Sequence, residues 1–190
     1  MSTSNDLNSI IKADLFRYFG DNSFGSFLKN FLLTPGFRYS YFFRKCTYLK
    51  KKRNWFFYFI YRILLERYTI KYGIEILVGT SIGRGLYIGH WGGIFVNQGA
   101  ILGENCNINQ GVTIGQSNRG RHKGCPVIGN YVWMGANSVI VGKIKLGNNV
   151  LIAPGAYVNF DVPDNAVVIG NPGEIVSYGG TEGYISHAIR

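Results

Sequence analysis

Branched apolar residues recur at six-residue intervals through the middle of this chain, between Ile74 and Val162. An α-helix repeats at 3.6 residues and a β-strand at 2, so neither element alone sustains a period of six. Such a period is typical of a parallel β-helix, in which each hexapeptide forms one short strand and one turn. The repeated positions are Ile76, Ile82, Ile88, Val96, Leu102, Ile108, Ile114, Ile128, Met134, Ile140, Leu146, Ile152 and Val158.

Two further positions of each hexad fit the same coil. Gly or Ala usually follows the repeated apolar residue, and a small residue there lets the chain turn a tight corner. Four positions after the apolar residue comes a second modest side chain that points inward, as at Ala100, Val132 and Ala156. Three hexads make one turn of a triangular prism, so the sequence predicts an all-β parallel β-helix of about five coils.

The length of the chain fits one domain with a smaller appendage. The sequence predicts three segments. Residues 1–72 form an N-terminal helical segment rich in basic and aromatic residues, and residues 73–162 form the β-helix with an extended loop at 116–127. A C-terminal strand and tail occupy 163–190.

The basic charge belongs to the N-terminal segment, which holds thirteen Lys and Arg against four acids in a chain of net charge +10. Apolar periodicity predicts helices at 6–19 and at about 24–33, before Pro35. From 37 to 72, aromatic residues interleave with Lys and Arg. This stretch forms either helices packed on the prism with basic side chains in solvent, or a peripheral surface for anionic lipid or a lipid-linked substrate. Nucleic acid is not expected, because no recognised binding motif accompanies the charge.

Cysteine usage bears on the compartment and on metals. Cys46, Cys106 and Cys125 are too few and too scattered for a disulfide framework, and they form no CxxC pair that would indicate zinc. We therefore expect no bound metal. We also expect a reducing, cytoplasmic location, either free in the cytoplasm or at the inner face of the cytoplasmic membrane. The polar N-terminus does not resemble a signal peptide.

The repeat breaks register twice. The spacing from Ile88 to Val96 is eight residues and the spacing from Ile114 to Ile128 is fourteen, so each interval holds two extra residues. A regular solenoid that interrupts itself at two places is expected to do its chemistry there. The first interruption contains His90.

The second interruption contains Arg121 and His122. Assigning successive hexads to three faces puts His90 at the corner between the third and first faces, and the loop at the corner between the first and second. Three prisms packed side by side would bring the His90 edge of one against the loop edge of its neighbour. The geometry therefore predicts a homotrimer with sites between subunits.

The tract IEILVGTSIGRGLYIGH, the loop GRHKG and the ending VIGNPGEIV resemble the serine O-acetyltransferase group of hexapeptide-repeat acyltransferases, over about residues 74–176. The resemblance implies a left-handed parallel β-helix with an N-terminal α-helical subdomain, assembled as trimers or dimers of trimers. It also implies transfer of an acetyl group from acetyl-CoA to a hydroxyl.

The same resemblance assigns roles to individual residues. His90 matches the general base, and Glu75 matches its acidic partner, where the family usually has Asp. Arg121 and His122 match the pair that holds the acceptor, and Asp21 matches a second family aspartate that helps hold the amino group of serine. Without the resemblance, His90 would read as a turn histidine bonded to the backbone, and the others as ordinary polar residues.

Three further positions match the coenzyme A contacts of the family, namely Gln116, Ala136 and Pro154. The residue before the catalytic histidine is Gly89, where serine acetyltransferases have Asp. This departure and the short helical segment favour a sugar hydroxyl in the biosynthesis of cell-surface polysaccharide as the acceptor. L-Serine O-acetylation for cysteine biosynthesis is the alternative, and a non-catalytic hexapeptide-repeat scaffold is the remote one.

Overall fold

The computed structural model describes residues 7–189. Within this range an α-helical subdomain precedes a parallel β-solenoid, as expected. The helices are α1 Leu7–Phe19, α2 Phe24–Leu33, α3 Pro35–Lys51 and α4 Trp55–Tyr72. The expected helices at 6–19 and 24–33 are confirmed, although residue 6 and the rest of the polar N-terminus lie outside the described residues. No helix in the described range is long and apolar enough to cross a membrane.

The solenoid consists of two- to four-residue strands joined by turns. In chain order they are β1 Ile74–Ile76, β2 Ser81–Ile82, β3 Tyr87–Ile88, β4 Ile94–Val96, β5 Ile101–Leu102, β6 Asn107–Ile108, β7 Thr113–Gly115, β8 Val127–Ile128, β9 Trp133–Met134, β10 Val139–Val141, β11 Lys145–Leu146, β12 Leu151–Ile152, β13 Tyr157–Val158, β14 Val167–Ile169 and β15 Glu174–Ser177.

Every third strand stacks in parallel, which gives the prism three faces. The first face is β1-β4-β7-β10-β13, the second is β2-β5-β8-β11, and the third is β3-β6-β9-β12-β14 with β15 at its end. Equivalent hexad residues are in register: Ile76 pairs with Val96, and Val96 pairs with Ile114. The left-handed parallel β-helix is confirmed, with the hexads on the faces that their spacing predicts.

The turns between strands require residues that tolerate a left-handed backbone. Gly111 has φ of 73°, and a Cβ there would collide with the Asn137 side chain of the next coil. Asn137 itself has φ of 58°, a region that Asn enters at lower cost than most residues. The close stacking of coils at this corner therefore excludes larger residues at position 111.

A buried ion pair fastens the helices to the prism. The Asp14 carboxylate of α1 accepts hydrogen bonds from Arg44 of α3 at 2.9 and 3.1 Å and from the Leu86 backbone at 2.9 Å. Arg44 also donates to the carbonyl oxygens of Ile82 and Gly83 in the first coil, each at 2.7 Å. Burial raises the pKa of the Asp14 carboxyl, and the positive charge of Arg44 opposes that shift.

Arg17 is a second buried cation at the same junction. Its guanidinium donates to Gly85 O at 2.7 Å, to Asn107 Oδ1 at 2.6 Å and to Ser186 O at 3.1 Å. It thus ties α1 to the prism and to the C-terminal tail. The interpretation that the basic residues of 37–72 lie in solvent is wrong for Arg44, which is buried, and Arg17 in the preceding helix is buried as well.

The solenoid continues beyond the expected boundary at residue 162. Val162 forms a parallel bridge with Leu146, and β14 pairs in parallel with β12, so the last coil runs through Ile169. β15 then pairs antiparallel with β14 and ends the sheet of the third face. The tail returns along the prism, where Ile189 N donates to Asn105 Oδ1 at 3.1 Å.

Candidate functional site

The two interruptions lie on different edges of the prism. The histidine edge comprises the turns that lead from the third face to the first, at 89–93, 109–112, 135–138 and 153–156. The loop edge is where the chain passes from the first face to the second, and it includes the excursion at 116–126. The observed strand order thus agrees with the face assignment made from spacing. The outer surface of the first face separates the two edges.

His90 is the second residue of the lengthened turn of the histidine edge, which follows β3. The turn is fixed on both sides, because Gly92 O accepts from Gly111 N at 2.8 Å and Gly73 O accepts from Ile94 N at 3.0 Å. Gly92 and Gly93 both have positive φ, at 107° and 66°. The His90 side chain is exposed, and among residues 7–189 it makes no hydrogen bond.

Glu75 lies on the outer surface of the first face, in register with Phe95. Its strand β1 pairs with β4, and the turn that contains His90 leads into β4. No hydrogen bond or ion pair joins Glu75 to His90 in the described part of the chain, and both side chains are exposed. The structure therefore places the expected dyad in adjacent coils without a direct bond between them.

The loop at 116–126 folds back on itself. Ser117 and Gly124 exchange backbone hydrogen bonds of 3.0 and 2.9 Å, and His122 O accepts from Lys143 N of the next coil at 2.8 Å. Arg121 is exposed and His122 is half-buried at the tip. The two expected acceptor contacts thus lie together in one loop. The first face of the prism lies between this loop and His90.

The expected coenzyme contacts divide between the same two edges. Ala136 and Pro154 occupy successive turns of the histidine edge, where Ala136 O accepts from Gly155 N at 2.8 Å. Gln116 stands at the start of the loop and donates to Asn118 Oδ1 at 2.7 Å. Small side chains at the histidine edge leave room for an extended ligand to lie against the backbone.

A groove of about 220 Å³ lies on the first face, lined by residues of β1, β4 and β7 and of the turns that follow β1 and β4. Glu75, Phe95, Thr113 and Gly115 contribute to its lining. Its lining combines a carboxylate with apolar and hydroxyl side chains, which suits a ligand that is partly polar. The lining includes no residue of the histidine edge, so the groove covers only part of the path between the two edges.

Asp21 is not brought to either edge. It lies in the turn between α1 and α2, where its carboxylate accepts from Ser23 N at 2.9 Å and from Ser23 Oγ at 2.6 Å. These hydrogen bonds lower the pKa of the Asp21 carboxyl. Gly20 beside it packs near the ring of His187 in the tail. In the described residues, no hydrogen bond links Asp21 to His90 or to the loop.

Two aromatic residues flank His90 that the sequence did not single out. A Cβ at Gly89 would meet the Tyr87 ring at 2.9 Å, so this ring lies directly beside the histidine turn. Tyr87 is held by Tyr18 of α1, with ring centroids 4.6 Å apart. Trp91 is half-exposed and contacts Tyr72 of α4 at 6.4 Å between centroids. In the sequence both residues are visible as aromatics close to His90. The hexad pattern assigns no role to aromatic residues at these positions, so it did not predict their contacts.

The cysteines and histidines show no common cluster. Cys46 and Cys106 are buried, and burial raises the pKa of each to about 11. Cys125 is half-buried at the base of the loop, with Sγ 3.3 Å from Asn97 Oδ1. Residues 7–189 contain no group of three or more His, Cys, Asp or Glu side chains placed to hold a metal ion.

Comparison with known proteins places these features in context. A family profile described as bacterial transferase hexapeptide (six repeats) matches residues 125–159. A serine acetyltransferase from Helicobacter pylori strain 26695 is 34% identical over 146 residues, which are 77% of this chain and 84% of the relative. One from Synechococcus elongatus is 36% identical over 115 residues, 60% of this chain. The chain spans 47% of that longer relative's length.

Similar solved structures are also serine acetyltransferases. A Neisseria gonorrhoeae serine acetyltransferase in complex with serine aligns with a TM-score of 0.76 and 30% identity, over 92% of this chain and 71% of that one. A Brucella abortus serine acetyltransferase in complex with coenzyme A aligns with a TM-score of 0.75 and 28% identity, over 93% of this chain and 68% of that one. The alignments include most of the helical segment as well as the prism.

Proposed function

Because the chain belongs to the serine acetyltransferase family of hexapeptide-repeat acyltransferases, we propose that it transfers an acetyl group from acetyl-CoA to the hydroxyl of L-serine. The observation that carries this proposal is the 34% identity to the Helicobacter pylori enzyme across 84% of that enzyme's length. The neighbouring structures that hold serine and coenzyme A support the two substrates.

The expectation of a sugar acceptor in cell-surface polysaccharide biosynthesis is wrong. The relatives from Helicobacter pylori and Synechococcus elongatus and the structures from Neisseria gonorrhoeae and Brucella abortus are serine acetyltransferases, and the Helicobacter pylori enzyme is matched over 84% of its length. Gly89 and the short N-terminal segment had favoured a sugar. Neither feature outweighs a match that extends through the helices and the prism together.

His90 is the proposed general base. A neutral hydroxyl is a weak nucleophile, and imidazole has an ordinary pKa close to neutrality, which suits it to accept the hydroxyl proton as the new C–O bond forms. His90 would then return that proton to the departing sulfur, so that no covalent enzyme intermediate is required. Its exposed, unbonded ring at a fixed turn leaves both nitrogens available for this role.

Glu75 is the proposed partner of His90. A carboxylate that accepts from the second ring nitrogen fixes the tautomer and stabilises the imidazolium, as the acid of a catalytic triad does. In the free chain the two side chains are not bonded, and catalytic hydrogen bonds are often long before substrate binds. Both side chains are exposed, and the turn that contains His90 leads into the strand that pairs with that of Glu75.

Arg121 and His122 are the proposed acceptor contacts. The guanidinium of Arg121 can bind the serine carboxylate through two parallel hydrogen bonds. Asp21 is not assigned to the amino group, because it lies on neither edge and its carboxylate accepts from Ser23. Gln116 at the loop edge and Ala136 and Pro154 at the histidine edge are proposed to contact the coenzyme.

The division of these residues between two edges supports a trimer. In one subunit the first face lies between His90 and Arg121, and the groove is open on its outer side. We propose that the histidine edge of one subunit faces the loop edge of the next, so that each site contains residues from two copies. The assembly is a trimer or a dimer of trimers, placed in the cytoplasm.

An acceptor-dependence assay tests the function. The purified chain is mixed with acetyl-CoA, and free thiol release is followed with L-serine, with D-serine, and with an uncharged alcohol. We expect release that requires L-serine and yields O-acetylserine by mass spectrometry, and that is lost in His90→Ala. Thiol release that ignores serine, or that persists in the variant, would overturn the proposal.

A further inference from the structure

The hydroxyl of Tyr87 has no hydrogen-bond partner among residues 7–189, although its ring is packed on two sides. The ring centroid lies 4.6 Å from that of Tyr18, and the guanidinium of Arg17 lies over the ring at 5.7 Å from its centroid. Tyr18, in contrast, uses its own hydroxyl to bond the backbone of Ile88. The Tyr87 side chain is half-buried and its oxygen reaches solvent. A fixed ring therefore presents a free hydroxyl at the surface.

This hydroxyl lies beside the proposed general base. A Cβ added to Gly89 would lie 3.5 Å from the Tyr87 oxygen and 2.9 Å from the nearest ring carbon. Tyr87 therefore covers the residue that directly precedes His90. Any side chain at position 89 would have to displace the ring, which accounts for the glycine at this position.

The position of His90 within its coil is repeated along the histidine edge. Strands β3, β6, β9 and β12 pair in register, so the residues that follow each strand by two positions form one column. The column consists of His90, Gln110, Ala136 and Pro154. Because Ala136 and Pro154 are proposed coenzyme contacts, a coenzyme along this column would bring its thioester towards His90. The Tyr87 hydroxyl lies at that end of the column.

The charge behind Tyr87 is positive. Arg17 is buried, and its hydrogen bonds go to two backbone carbonyl oxygens and to the amide oxygen of Asn107. In the described residues Arg17 forms no ion pair, and the carboxylate of Asp14 pairs with Arg44 instead. A buried cation with neutral partners favours negative charge in its vicinity. An O–H donor next to this cation therefore suits an anion better than the ammonium group of an amino acid.

We propose that Tyr87 is a catalytic residue that donates a hydrogen bond to the oxyanion formed during acetyl transfer. The inference rests on the proposed function. Attack of the serine hydroxyl on the thioester carbon forms the C–O bond and moves the carbonyl electron pair onto oxygen, while His90 takes the hydroxyl proton. Tyr87 keeps its own proton and directs it towards this oxygen. When the carbonyl re-forms, the C–S bond breaks and His90 gives the proton to sulfur.

Other groups near His90 suit this task less well. The Asn109 amide is already engaged, because it donates to Met134 O at 2.8 Å. Trp91 carries an N–H donor, but its side chain is 51% exposed, and water weakens an electrostatic contact at such a site. The half-buried, packed Tyr87 hydroxyl is the better preorganised donor.

Tyr87→Phe tests the proposal, because it removes the hydroxyl and keeps the ring that packs on Tyr18. We expect kcat for serine acetylation to fall about ten- to a hundredfold. KM for serine and for acetyl-CoA should be unchanged, since the oxyanion is absent from the bound ground state. Titration calorimetry with L-serine and with coenzyme A should give the dissociation constants of the unmodified chain.

Trp91→Phe is the matched control. It also removes one polar hydrogen from an aromatic side chain near His90 and leaves an aromatic ring in place. Its kcat should stay within about twofold of the unmodified value. Circular dichroism should be the same for both variants and the unmodified chain.

Three results would overturn the assignment of Tyr87 while leaving the proposed function intact. One is a kcat in Tyr87→Phe within about twofold of the unmodified value. Another is a loss that appears in KM and in the dissociation constant for serine, which would make the hydroxyl a binding contact. The third is an equal fall of kcat in Trp91→Phe. If the unmodified chain itself releases no thiol with serine, the proposed function fails and this inference fails with it.

Discussion

The histidine edge and the loop edge flank the same face of the prism, but they are built differently. The turn at 89–93 adds two residues and stays within the coil, fixed to the coil above and below by hydrogen bonds of 2.8 and 3.0 Å. The excursion at 116–126 leaves the coil as a hairpin and is attached to the next coil through His122 O. One edge holds a side chain in a rigid frame, and the other projects side chains beyond it.

This difference suits the two tasks assigned to the edges. A general base must be positioned within hydrogen-bond distance of the proton it takes, which a fixed turn achieves. Acceptor contacts supplied to a neighbouring subunit must reach beyond their own prism, which a projecting loop achieves. The difference between the edges supports the proposal that each site combines the two edges from neighbouring subunits.

The largest expected effect concerns the histidine edge. His90→Ala should lower kcat by about two to four orders of magnitude, because general base catalysis typically contributes that much. Steady-state kinetics with saturating serine and acetyl-CoA measures it. His187→Asn is the matched control, since this tail histidine lies on neither edge, and its kcat should remain near that of the unmodified chain. A similar kcat for both variants would remove the base assignment.

A smaller effect is expected at the loop edge. Arg121→Ala should lower kcat/KM for serine by about ten- to a hundredfold, because a charge-assisted hydrogen bond to a carboxylate is lost. The change should appear mainly in KM for serine, because binding rather than proton transfer is affected. Arg119→Ala, two residues earlier in the same loop, should change little. Equal losses in both variants would indicate a general electrostatic role of the loop.

Glu75→Gln, the second substitution that tests the histidine edge, should lower activity less than His90→Ala. We expect a kcat loss of about tenfold, less than for His90→Ala, because the base remains but its imidazolium is less stabilised. The acidic limb of the kcat/KM profile against pH should move to lower pH, since a carboxylate favours the charged ring. A profile that does not move would place Glu75 outside the catalytic machinery.

Thiol labelling compares the accessibility of Cys125 at the loop edge with that of the two cysteines in the core. Burial raises the pKa of Cys46 and Cys106 to about 11, so near neutral pH both remain protonated and unreactive. Cys125 is partly accessible at the base of the loop and lies 3.7 Å from Gln116 Oε1. One label per folded chain is therefore expected by mass spectrometry, and coenzyme A should slow it. Labelling of all three cysteines in the folded chain would contradict the described burial.

Much of the prism could be predicted because each hexad is a local unit. The spacing of Ile76, Ile82 and Ile88 assigned successive strands to successive faces, and the two extra residues before Val96 and before Ile128 revealed the interruptions. No distant contact is needed for either inference. The site residues on the turns followed from the same spacing together with the family motifs.

The junction between helices and prism could not be predicted in this way. Asp14 and Arg44 are 30 positions apart, and Arg17 and Asn107 are 90 apart. A period in the sequence indicates which face of a helix is apolar, but it does not indicate that a charged residue on that helix will meet a buried partner so distant in the chain. The return of the tail to Asn105 depends on contacts of the same kind.

Subunit mixing tests most directly the central claim that each site combines the two edges from different subunits. His90→Ala and Arg121→Ala are each prepared as an impaired protein, unfolded together in equal amounts and refolded into mixed trimers. We expect recovery of about a quarter of the unmodified activity, since one in four subunit contacts then pairs an intact histidine edge with an intact loop edge. Activity no higher than the average of the two separate variants would contradict it.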